Sequence, residues 1–126
     1  MSEEAPVLHL GDLAVGARWL ARGDGFHAHE AWEDRWRPLP RGAERRALQG
    51  LIHLAVAVEH RRRGNLRSAA GQWAKARLKL AGGVPWEGFP LVRLVEAVAP
   101  CLDAAERGEA VGLPDLGWLA TGGAFP

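Results

Sequence analysis

The sequence predicts an all-α fold, a single-domain antiparallel helical bundle of about five helices with a long, buried third helix. Three observations predict it. Apolar residues recur at spacings of three and four, and alternating β-branched runs are missing. Gly, Pro, Asp and Asn punctuate the chain at helical intervals. The connections between the periodic segments are short, which favours antiparallel neighbours.

The first helix is expected over 12–21, with Leu13, Ala17 and Leu20 on one face and Gly23 just past its end. Asp24 is placed to cap a second helix over 25–37, which Pro38 stops. The third helix, 41–63, is the longest, and Gly64 closes it. Asn65 is placed to cap a fourth over 66–80, closed by Gly82 and Gly83. After the loop GGVPWEGFP, Pro90 suits the first position of a fifth helix over 90–107, and Pro100 should kink or split it. From Gly108 the chain is rich in Gly and Pro, with Trp118 and Phe125 available to tack it to the body. Residues 1–126 thus read as one helical domain, with a motif-bearing core over about 12–82 and a C-terminal helix and irregular tail over 83–126.

Composition excludes several chemistries. A net charge of +1 gives no global electrostatic case for nucleic acid or a membrane surface. The run Arg61, Arg62, Arg63 and Arg67 reads as a solvated helix end whose cations complement the dipole. The single cysteine, Cys101, fits a reducing compartment. The start MSEEAPVLHL has no basic then apolar leader pattern, so a cytoplasmic protein is expected. Tyr is absent and Ser2, Ser68 and Thr121 are the only hydroxyl side chains, leaving little for a Ser–His–Asp arrangement. No glycine-rich phosphate loop and no CxxC pair occur.

The unusual chemistry lies in FHAHEAWEDRWR, residues 26–37. At about 100° per residue, Phe26, His29, Glu33 and Trp36 fall within roughly 80° of one another, with Trp32 to one side and Glu30 to the other. Charge in an apolar stripe costs several kcal/mol unless it is paired, liganded or neutralised. The third helix repeats the anomaly. Apolar residues cover most of its circumference, and Gln49, His53 and His60 form a narrow polar stripe. Glu59 falls inside the apolar sector and needs a cation, for which Arg77, Arg45 and Arg63 are candidates.

These residues carry a resemblance. HEAWEDRW followed by ERRALQGLIHLAVAVEHRRRGNLRSA resembles the small bacterial and archaeal family called domain of unknown function 309. Its motifs are an HE-x-x-E-x-x-W helix, a QG-[LI]-I-Q helix running on to a histidine, and a following GN. The resemblance covers about 13–80 and implies an all-helical bundle. It places motif positions at His29, Glu30, Glu33, Trp36, Gln49, Gly50, His60, Gly64 and Asn65, and no activity comes with it. Two positions depart from the pattern: His27 stands where an acidic residue is usual, and His53 replaces the second Gln of QGLIQ.

The expected function is a semi-buried pocket between the second and third helices, formed by His29, Glu30, Glu33, Trp36, Gln49, His53 and His60, that binds a small ligand or divalent metal. His29 and Glu33 stand at a chelating i, i+4 spacing, and with His60 they make a candidate set for zinc or manganese. HEAWE is not HExxH, so the zincin pattern fails. A plainer reading of His29 is a core histidine bonded to a carboxylate or to Gln49. The same residues also fit a metal-assisted hydrolase, or a helical protein–protein interaction module with a purely structural ion network. A homo-oligomer is compatible with each of these functions.

Overall fold

The computed structural model describes residues 8–120. A 3₁₀ turn, Leu10–Leu13, opens the described chain, and its first turn is closed by Asp12 accepting from His9 N at 2.8 Å. Five helices follow: α1 (Ala14–Ala21), α2 (Gly25–Trp36), α3 (Ala43–Arg62), α4 (Leu66–Leu80) and α5 (Leu91–Glu106). A second 3₁₀ turn, Gly117–Ala120, lies against α1. Each helix packs on its neighbour in the chain, and α3 also touches α5. The expected all-α bundle is what forms.

Local chemistry sets the boundaries. Asp24 accepts from the His27 backbone N–H at 2.9 Å, a side-chain cap that starts α2. Gly23, Gly64, Gly83 and Gly108 follow helices with φ between +74° and +84°, a conformation that costs glycine little. Asn65 occupies the N-cap of α4, but its side chain makes no capping bond. Pro100 does not split α5. The proline is exposed, so the carbonyl it leaves unbonded, that of Glu96 four residues earlier, belongs to the solvent side of the helix.

One buried cluster runs from Leu8 to Leu119, and α3 is its axis. Ten residues of α3 are buried, Glu59 among them, so the expectation of a central third helix holds. Trp32, Trp73 and Trp86 are buried, and Trp118 packs from the tail beneath the Arg93 guanidinium, 4.1 Å from its ring. The contact expected of Phe125 lies outside the described residues. No helix among them is long and apolar enough to cross a membrane.

The buried face of α2 differs from the one the aromatic spacing suggests. Gly25, Ala28 and Trp32 face the core, while Phe26 is exposed and His29, Glu33 and Trp36 are half-buried at its margin. Small residues decide this. A Cβ at Gly25 would collide with the Ala55 carbonyl oxygen, so α2 and α3 touch backbone to backbone there. Gly16 likewise leaves room for the Trp32 indole, whose Nε1–H donates to Leu13 O at 3.1 Å.

Candidate functional site

Beside the Gly25 contact, α2 and α3 leave a partly open cavity of about 150 Å³. Phe26 and His29 line it from α2; Val56, Glu59, His60 and Arg63 line it from the end of α3. Phe26 meets the His29 ring edge-on, centroids 5.4 Å apart, and the Arg63 guanidinium sits 6.0 Å from the Phe26 ring centre.

Glu59 is the one buried charged residue among those described. Its carboxylate accepts from Arg62 Nε (3.1 Å), Arg62 Nη2 (2.5 Å) and Arg63 Nε (2.6 Å). The Arg62 bond is the largest influence on its acidity. Burial opposes ionisation, but the Arg63 bond and both guanidinium charges add to the Arg62 effect, holding the carboxyl below its ordinary value. The cations come from one turn further along the same helix, the i, i+3 and i, i+4 positions. Of the expected candidates Arg63 serves, while Arg77 pairs with Asp103 and Glu106, and Arg45 serves Trp36.

The two histidines of the cavity have no such partners. Nδ1 of His29 and Nδ1 of His60 are both buried and make no hydrogen bond among the described residues. Buried polar atoms are normally satisfied, so two such atoms on one small cavity are an anomaly. The plainer reading of His29, a core histidine bonded to a carboxylate or to Gln49, does not describe this Nδ1.

The remaining residues expected in the pocket lie elsewhere. Glu30 is exposed. Glu33 is half-exposed and pairs with Arg37 at 3.3 Å, so the charge read into an apolar stripe is a solvated ion pair at its edge. Trp36 closes the far end of α2: its Nε1–H donates to Arg45 O at 3.1 Å, and the Arg45 guanidinium stacks 3.8 Å from its ring centre. Arg45 Nη1 also donates to Trp36 O at 3.2 Å and Leu39 O at 2.6 Å, finishing the helix. At 1.5 Å per residue, Trp36 is about 15 Å along α2 from Phe26. His53 bonds Gln72 Oε1 through Nδ1 at 2.8 Å, on the seam between α3 and α4. Gln49 is half-buried and does not line the cavity. His27 stacks on Trp19, 4.5 Å between ring centres, and its Nδ1 meets Asp24 at 2.7 Å.

The metal set His29, Glu33 and His60 is therefore not assembled: Glu33 is bonded to Arg37 and does not line the cavity. No group of three or more His, Cys, Asp or Glu side chains among the described residues is arranged to hold a metal ion. The basic run is also engaged within the fold, since Arg61 donates to Val111 O at 2.8 Å while Arg62 and Arg63 hold Glu59. Reading the sequence alone missed Phe26, Val56 and Arg63 as cavity walls. All three carry a signal, each standing one helical turn from a cavity histidine: Phe26 and Arg63 at three residues and Val56 at four.

Residues 13–72 match the model of a family described as "Domain of unknown function (DUF309)". No curated protein and no solved structure matches the chain. The matched segment spans α1, α2, α3 and the first half of α4, so both walls of the cavity lie inside it.

Proposed function

Since residues 13–72 match the domain of unknown function 309 family, which brings no activity with it, we propose from the site's own geometry that the cavity between α2 and α3 binds a small organic ligand. One observation carries the reading. Two imidazoles from different helices line one hollow, and neither ring has a hydrogen-bond partner among the described residues. A volume of about 150 Å³ suits a single six-membered ring, the size of guest that an apolar cavity of that volume holds. Phe26 and Val56 supply an apolar wall for its body, and the two rings supply polar contacts that fix its orientation.

The role is binding rather than catalysis. The carboxylates Glu30 and Glu33 stand away from the cavity, and Glu59 is committed to two arginines. An organic guest is favoured over a metal ion for a related reason. Two imidazoles fall short of the three or four protein ligands a bound zinc takes, and the adjacent carboxylate already takes three charge-assisted bonds from arginine.

The test uses two one-ring probes of nearly equal shape, benzamide and benzoate. Titration with one or both should move the ring resonances of His29 and His60 saturably, while exposed His9 stays still. Val56→Phe, which fills the hollow, should abolish the shifts with the helical circular dichroism unchanged. No saturable shift with either probe, or shifts indifferent to Val56→Phe, would remove the pocket from consideration.

A further inference from the structure

The cavity wall has a hydrogen-bonding polarity that points to a class of guest, and the argument rests on the pocket reading above. Glu59, the acceptor on the wall, already receives three charge-assisted bonds, close to the roughly four that a carboxylate takes. Arg63 uses only Nε for Glu59 and leaves both Nη groups without an acceptor among the described residues. Its guanidinium has five N–H donors, so four remain.

The imidazoles add donors of their own. A neutral ring carries its one proton on Nδ1 or on Nε2. A buried N–H without an acceptor is rarer and costlier in folded proteins than an under-satisfied acceptor. Nδ1 is the buried, unbonded nitrogen in both His29 and His60, so the proton belongs on Nε2. What each ring can offer a guest is then an Nε2–H.

Every unsatisfied group on the wall other than a sealed Nδ1 is therefore a donor. Glu59 and the nearby Asp24 offset Arg62 and Arg63, so no net positive charge is there to balance a dianion, and the free donors alone select for a single charge. We infer that the guest is a monoanion, a one-ring or short-chain carboxylate whose oxygens take the Arg63 Nη and histidine Nε2 donors while its apolar body lies on Phe26 and Val56.

Benzoate and benzamide separate charge from shape. Followed by the His29 and His60 ring resonances of the full chain at low salt, benzoate should bind about tenfold more tightly than benzamide. Arg63→Gln should close most of the gap between the two probes, weakening benzoate far more than benzamide. If Arg63→Gln does not fold, the parent chain decides through salt: the gap between the probes should narrow as ionic strength rises from about 0.01 M to about 0.3 M, where screening of a partly exposed ion contact becomes strong. Benzamide binding as tightly as benzoate, or a gap indifferent to both Arg63→Gln and salt, overturns the anionic class and leaves the pocket standing. No shift with either probe overturns both.

Discussion

The seam between α2 and α3 and the seam between α4 and α5 use the same side-chain types to different ends. On the α4–α5 seam Trp73 and Arg77 meet acceptors from across the gap. Trp73 Nε1–H donates to Asp103 at 2.7 Å, Arg77 reaches Asp103 at 3.4 Å and Glu106 at 2.8 Å, and its guanidinium lies 5.4 Å from the Trp73 ring centre. On the α2–α3 seam the buried carboxylate is neutralised from its own helix, and nothing on α2 is needed to balance it. The histidines beside it are left with unpaired nitrogens. The contrast teaches that a buried charge is a poor marker of a site when its counter-ions are one turn away. Unsatisfied hydrogen-bonding capacity is the better marker. The family match includes the first seam and stops one residue short of Trp73.

The comparison can be broken most sharply at the glycine that lets α2 and α3 touch. Gly25→Ala forces a methyl group into the Ala55 carbonyl, so the helices must separate, at a cost of about 3 kcal/mol in urea unfolding. Gly71→Ala on α4 meets nothing within 4 Å and should gain up to about 1 kcal/mol from helix propensity. Equal effects at the two glycines would mean that the α2–α3 contact is loose.

Glu59→Gln comes next, at about 2 kcal/mol lost at pH 7. Loss of a buried pair's partner costs roughly 3–5 kcal/mol when a charge is stranded, but Arg62 and Arg63 are about half exposed and can turn to water. The pH dependence has a definite sign. The folded-state carboxyl is held below its ordinary value of 4.5, so its stabilisation is complete above about pH 4.5 and fades as pH falls through the lower, folded value. The gap in urea midpoint between parent and Glu59→Gln should therefore be full at pH 7 and shrink steadily as the pH is taken below 4.5. A gap that widens on acidification would contradict the assignment of Arg62 and Arg63 as its partners.

Asp103→Ala tests the closed seam. It leaves the Trp73 N–H without its acceptor and should cost about 1.5 kcal/mol, with a change in tryptophan emission. The ring resonances of His29 and His60 should not move; if they do, the two seams are coupled. Glu33→Gln is the smallest effect, within about 0.5 kcal/mol of zero, because Glu33 and Arg37 form a surface pair on one helix.

The sequence made the helices legible because their ends are written locally. Asp24 caps α2 within three residues, and glycines at positive φ follow α1, α3, α4 and α5. Glu59 was legible as a buried acid because α3 is apolar nearly all round, which leaves no solvent side to choose. The face of α2 was not. A helical wheel weights large side chains, and Phe26 and Trp36 drew the apolar stripe towards His29 and Glu33. The real interface is set by what is missing from Gly25 and Ala28, because close approach of two backbones excludes anything larger. His53 and His60 looked like one stripe on α3, yet α4 takes the first and α2 the second. Which neighbour a residue meets depends on how the helices wrap around α3, and that information is not local.

Glu44, in the first turn of α3, has a consequence for the order in which the chain assembles. One of its oxygens accepts from the Leu8 backbone N–H at 2.9 Å and from Trp86 Nε1–H at 3.0 Å, contacts that span 36 and 42 residues of chain. The α3–α4 hairpin closes over a three-residue turn, so its nucleation loses far less chain entropy than either of these closures. Glu44 should join two distant stretches of the chain only after the barrier to folding has been crossed. A substitution there is expected to leave the refolding limb of the chevron in place and raise the unfolding limb, with φ near zero. The lifetime of the native state, more than the speed of reaching it, then depends on a single carboxylate oxygen far from the cavity.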